Sequence, residues 1–207
     1  MNLIAIGGRR ILFFYEPLRG ADLRVVERQM WSRKFDPALV LGTANRCRFG
    51  CPRVIVCSPL AGVTPFPTIF WLTCPWLLRF VATIESGGGV GKLERWLEKH
   101  AKNRVRNEWL LFDMDYRLAR MALLSPDALN FLRRFKPKIF EHLRRDGVGG
   151  TRYDGRSPIR VKCIHLQVAS WLAFGRYPGE EWLRAQGAGQ DCGGAMSTLC
   201  EPRLTNE

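Results

Sequence analysis

The chain lacks any apolar run approaching the ~18 residues that a membrane span requires, so no membrane-crossing helix is expected. It lacks a leading basic segment as well. Met1-Asn2-Leu3-Ile4-Ala5-Ile6 precedes Arg9-Arg10, the reverse of the order in a secretory signal, and the expected compartment is the cytoplasm. Acidic residues are scarce, 19 against 32 Lys and Arg. The net charge of +13 favours polyanions such as RNA, DNA or polyphosphate, although spread over many segments it also suits the solvated exterior of an ordinary globular protein. No internal repeat is visible. What is present is a 207-residue chain with 46% hydrophobic residues, enough for one sizeable core and too apolar for wholesale disorder. Its seven cysteines are odd in number and unevenly spaced, which favours free thiols or metal ligands over a disulfide framework.

Local patterns outline the elements. Leu23, Val26 and Met30 lie at helical spacing within 22–33, ahead of Pro37. Ala38–Leu41, Arg53–Cys57 and Thr68–Leu72 are short apolar, β-branched or aromatic runs bounded by Gly, Pro and Asn, and predict three strands of a small sheet. From Pro75 the pattern is helical, with Trp76, Phe80 and Ile84 spaced by four, up to Gly87-Gly88-Gly89. Between about 103 and 123, Val105, Trp109, Phe112, Tyr116, Ala119 and Leu123 form one stripe that predicts a core-packed helix. Ser125-Pro126-Asp127 starts a further helix that Asp146-Gly147 closes, and Pro137 kinks or splits it. Ser157-Pro158 predicts a last helix to about Phe174, and the glycines beyond it predict a loose tail.

Cysteine carries most of the chemistry. Cys74 precedes Pro75, so a helix starting there would point free amides and a positive dipole end at the sulfur and favour thiolate. A small buried cysteine is the competing reading. Cys47 and Cys51 flank a three-residue loop that could offer two sulfurs to one metal. The third cysteine required by radical-forming iron–sulfur enzymes is replaced by Val54, which excludes that motif. Cys163 and His165 diverge if both are helical and share one face if the segment is extended. His165 is equally readable as a hydrogen-bonded core residue, a ligand or a base. Gly87–Lys92 fails as a phosphate loop, because Ser86 stands where the leading glycine belongs and Leu93 follows Lys92. Gly147–Gly150 followed by Arg152, Arg156, Arg160 and Lys162 is a better anion candidate for a phosphate-containing ligand, although a plain flexible linker is the favoured reading.

Four blocks together resemble a known family: Val26-Glu27-Arg28-Gln29; Asn45-Arg46-Cys47 with Gly50 and Pro52; Thr64–Thr68 running into Leu72-Thr73-Cys74-Pro75; and Val161-Lys162-Cys163-Ile164-His165. The chain is similar over about 24–175 to the domain of unknown function 501 family, cytoplasmic bacterial proteins of unassigned activity often encoded beside an exopolyphosphatase or a septum-formation protein. The resemblance implies Cys47, Cys74, Cys163 and His165 as the family's thiol and imidazole set. Cys51 matches no cysteine of the pattern, Tyr177-Pro178-Gly179-Glu180 departs from it, and the tail with Cys192 and Cys200 finds no counterpart.

The expectation is therefore an α+β domain over 24–175, with a small sheet from about 38 to 73 covered by helices, an N-terminal extension over 1–23 and a loose tail over 176–207. Three functions stay open. One is a zinc or iron–sulfur site built by Cys47, Cys74 and Cys163, with His165 or Cys51 as a fourth group. Another is polyanion binding by the basic segments around Arg133–Arg145 and Arg152–Lys162, with no membrane involved. The third is a thiol enzyme with Cys74 as nucleophile and His165 as base.

Overall fold

The computed structural model describes residues 4–6, 9–11, 15–100, 104–192 and 200. Parts of the expected 1–23 extension and 176–207 tail, and Lys102 and Asn103 of one basic cluster, lie outside the described residues. Strands β1 (Ile4–Ile6) and β2 (Arg9–Ile11) pair as a separate antiparallel ribbon. The central sheet contains β3 (Val40–Arg46), β4 (Pro52–Cys57) and, after a ribbon of β5 (Leu60–Ala61) and β6 (Thr64–Pro65), β7 (Phe70–Leu72). Its order is β3-β4-β7, antiparallel throughout. Eight helices complete the described chain: α1 (Asp22–Gln29), α2 (Pro75–Ser86), α3 (Gly89–Lys99), α4 (Arg106–Ala122), α5 (Pro126–Phe135), α6 (Pro137–Arg145), α7 (Ile164–Phe174) and α8 (Glu180–Ala185). The architecture is α+β, with a small sheet covered by helices.

β4 is the middle strand and every one of its residues is buried. Side chains alternate along a strand, so Val54 and Val56 enter the main core, while Ile55 and Cys57 enter a second cluster with Val26 of α1 and Met30 just after it. Both faces of this antiparallel sheet are thus covered, and Val54–Cys57 of β4 read as a continuous apolar run. The first strand begins later than its sequence suggests. Asp36 accepts a hydrogen bond from the Ala38 amide and turns Pro37–Leu39 into a 3-10 helix, after which β3 continues to Arg46.

Burial of Cys57 pushes its thiol from the ordinary 9.0 to about 12. Between those values the folded chain keeps a proton that the unfolded chain has lost, so stability falls as pH rises through this window. Cys57→Ala should therefore lose stability above pH 9.0 more slowly than the wild type. The difference should approach ~1.4 kcal/mol per pH unit in urea unfolding, and parallel pH profiles would contradict the assignment.

Helix α7 is apolar on nearly all sides and is buried from Ile164 to Trp171 except at His165, as expected of a central helix. Helix α4 buries Trp109, Phe112, Tyr116 and Ala119, the stripe that its sequence spacing specifies. It also buries Arg120, which is fully covered. Arg120 donates to the carbonyls of Pro67 (2.9 Å), Leu143 (2.8 Å), Asp146 (2.5 Å) and Gly147 (2.9 Å), and its guanidinium lies 5.0 Å from the Tyr116 ring centroid. One side chain thereby joins α4 to the loop before β7 and to the end of α6.

Two local expectations differ from the structure. The last core helix starts at Ile164 and not at Pro158. Asp154 takes the Ser157 amide (2.8 Å) into a turn, and Glu98, Glu94 and Glu85 accept the amides of Ile159, Val161 and Ile164, which ties this stretch to α2 and α3. Residues 176–192, expected to be loose, contain α8, and Trp182 and Leu183 join the main core. Pro137 does split α5 from α6, with Lys136 as the non-helical joint, and Gly88 turns α2 into α3 at a φ of 75°.

Candidate functional site

The hairpin that joins β3 to β4 carries Cys47 and Cys51 at its tip. Cys47 N donates to Cys51 O (3.0 Å), and Gly50, at a φ of 80°, closes the loop. Cys74 lies immediately before α2, behind β4, where its amide approaches Arg53 O. These three thiols line one cavity of about 150 Å³, and so do Cys192 and Cys200 from the C-terminal segment. Five of the seven cysteines therefore converge.

Cys200 is the sulfur that the others share. It influences the ionisation of Cys51 and Cys74, and is itself influenced by Cys47 and Cys192. Cys51 donates its thiol hydrogen to Cys200 O at 3.4 Å, and Gln29 Nε2 donates to Cys200 Sγ at 3.4 Å and to Pro52 O at 3.1 Å. Gln29 and Arg53 also line the cavity and are 5% and 7% exposed. Gln29 Oε1 and Arg53 Nε are buried there with no hydrogen-bond partner among the described residues. Arg53 fixes the C-terminal wall by donating to Asp191 Oδ1 (3.1 Å) and Gly189 O (3.1 Å).

Electrostatically the cavity holds thiols in their neutral form. Burial first, and then the neighbouring Cys200 and Cys47, raise Cys51 to about 12. Burial also raises Cys74 and Cys200. At Cys74 the amides of Leu77 and Trp76 act in the opposite direction without forming a capping hydrogen bond. The expected helix-start effect exists there, but desolvation outweighs it, so the expected shift toward thiolate is reversed. Among the described residues, no three His, Cys, Asp or Glu side chains already stand in a metal-holding arrangement.

Cys163 and His165 are not part of this cavity. Cys163 sits beside Glu85 in the last turn of α2, whereas Cys74 precedes its first turn, an axial separation of about 16 Å at the helical rise. His165 faces Glu85 Oε2 through Nδ1 (3.1 Å) and Leu78 O through Nε2 (3.2 Å). Both ring nitrogens are engaged by acceptors, which leaves neither as a base for Cys74 or as a ligand beside Cys47. The anion candidates are likewise occupied: Arg152 pairs with the buried Asp146, and Arg160 pairs with Glu94 (3.3 Å). Lys162 is exposed, and its methylenes pack on Gly149.

Sequence reasoning passed over Cys192 and Cys200, whose spacing carries no ligand motif; only the excess of cysteine hinted at further sulfur partners. A larger cleft of about 740 Å³ lies between α3, α4 and α8. Its Arg104–Glu108 and Arg184–Glu180 pairs are internally satisfied, and among the described residues it presents no comparable cluster of thiols.

No curated protein and no solved structure matches this chain. Comparison with known families matches residues 43–184 to the family described as protein of unknown function (DUF501), a range that contains Cys47, Cys51 and Cys74 and ends before Cys192 and Cys200. With the larger part of its length matched, the chain belongs to the domain of unknown function 501 family.

Proposed function

We propose that the cysteine cavity binds a soft metal centre, zinc or an iron–sulfur cluster, through Cys47, Cys51, Cys74 and Cys200, with Cys192 at its edge. The convergence of five thiols from three separate stretches of chain on about 150 Å³ carries this reading. Thiolate sulfur is the preferred ligand of both centres, and four sulfurs complete either one. Gln29 Nε2 already donates to Cys200 Sγ, and Arg53 Nε has a hydrogen to give, so the cavity contains donors suited to thiolate charge. Gathering the ligands requires the side chains to rotate inward as they lose their protons.

Elemental analysis and a visible spectrum of protein purified without oxygen test the proposal. Stoichiometric zinc in colourless protein, or iron and sulfide with broad visible absorption, should be lost in Cys74→Ser and Cys200→Ser and retained in Cys163→Ser. Metal content unchanged in the first two variants would refute the assignment. So would folded, metal-free protein that takes up neither zinc nor a reconstituted cluster.

A further inference from the structure

Helices α5 and α6 form a hairpin with a small core of its own, Leu124, Leu132 and Leu143, that fixes it to the end of α4 and to β5. Its outer surface is basic. Residues 126–145 carry six Lys and Arg against two carboxylates, a net +4, and Arg133, Arg134, Lys136, Lys138, Arg144 and Arg145 are all exposed. Glu141 is shared by Arg144 (2.9 Å) and Arg145 (2.6 Å), whereas among the described residues no carboxylate pairs with Arg133, Arg134, Lys136 or Lys138.

Aromatic rings stand within this charge. Phe131 and Phe135 are 40% and 58% exposed, one helical turn apart, with centroids 5.3 Å from each other. The Arg134 guanidinium lies 5.2 Å from the Phe135 centroid, and that of Arg133 lies 5.1 Å from the Phe140 centroid. Exposed phenyl faces bordered by unpaired cations suit a ligand with a phosphate backbone and unstacked bases, since each base can stack while the adjacent phosphate is neutralised. A duplex hides its base faces, and polyphosphate has none.

We propose that the α5–α6 face binds single-stranded nucleic acid, with Phe131 and Phe135 as the stacking platform and Arg133, Arg134, Lys136 and Lys138 as the phosphate contacts. This surface is independent of the cysteine cavity, and its test is too. Fluorescence anisotropy of the full chain with a labelled oligouridine of about 15 nucleotides should show binding that weakens steeply between low and physiological salt. Phe135→Ala should weaken binding about tenfold without changing the salt slope, as expected when one stacked base is lost. The Arg133→Gln, Arg134→Gln double variant should reduce the salt slope by about two phosphate contacts. All three positions are exposed, so circular dichroism and melting should stay unchanged. Equal affinity for a duplex of the same length, equally effective competition by polyphosphate, or an unaltered Phe135→Ala would overturn the proposal. Absence of binding at low salt would do the same.

Discussion

Zinc affinity is expected to fall on the order of a thousandfold for each unit that pH drops below 9, because at least three ligands must shed protons to bind. Cys51, Cys74 and Cys200 all have thiols raised above the ordinary 9.0, so the metal-free cavity holds these protons throughout the neutral range. A divalent cation offsets those shifts, since it neutralises the thiolate charge that burial disfavours and turns the lesser repulsion among thiolates into attraction to a shared charge. Each ligating thiol that starts protonated then contributes up to a tenfold change in affinity per pH unit. Competition against a coloured chelator at several pH values gives the slope, and a pH indicator in weakly buffered solution counts the protons released. Uptake independent of pH would exclude these three thiols as ligands. Cys163→Ser should leave both readings unchanged, because Cys163 lies toward the other end of α2. Metal at a thousand times its dissociation constant should add ~4 kcal/mol to stability, so a chelator should lower the melting temperature of the holoprotein and not that of Cys200→Ser.

Arg120→Ala is expected to abolish stable folding. The substitution removes the donors to Pro67, Leu143, Asp146 and Gly147, four carbonyls that meet at a fully buried side chain. Each orphaned acceptor costs about 1–3 kcal/mol when water does not replace the donor, and the total rivals the 5–15 kcal/mol that stabilises a typical domain. Water entering the vacated space would recover part of this loss. Arg120→Lys keeps the charge but concentrates three donors at one point, so it cannot reach the same spread of carbonyls and should fall between Ala and wild type. Urea unfolding followed by circular dichroism measures the order. A stable Arg120→Ala would show that the network contributes little.

The contrast between α4 and the 151–163 segment shows which features were legible in sequence. Trp109, Phe112, Tyr116 and Ala119 recur at steps of three and four, so their common burial follows from helical geometry alone. Ser125 likewise caps α5 as its local motif predicts, accepting from Ala128 N at 3.1 Å. Ser157-Pro158 carries the same signal and starts no helix. Its Ser157 amide is claimed by Asp154, and the following amides are held by Glu98, Glu94 and Glu85 from helices 60 to 80 residues away in sequence. Tertiary hydrogen bonds there supplied what a helix would have offered. Exposure was similarly hidden: Phe131 and Phe135 have the spacing of a core pair, yet Leu132 and Leu143 face inward while the two phenyl rings face solvent.

The sequence by itself determined the α+β class, most of the helices, the family membership and the placing of Cys74 at a helix start, because each depends on short-range periodicity, capping or a contiguous motif. Tertiary structure alone decided which sulfurs meet. Cys47 and Cys51 are joined by a short loop, but Cys74, Cys192 and Cys200 reach them only through the packing of α2 behind β4 and the anchoring of the C-terminal segment by Arg53. The same packing carried Cys163 and His165 away to Glu85, and it desolvated Cys74 enough to outweigh the helix amides that favour its thiolate. Convergence and desolvation both depend on neighbours remote in the chain, and no local pattern records them.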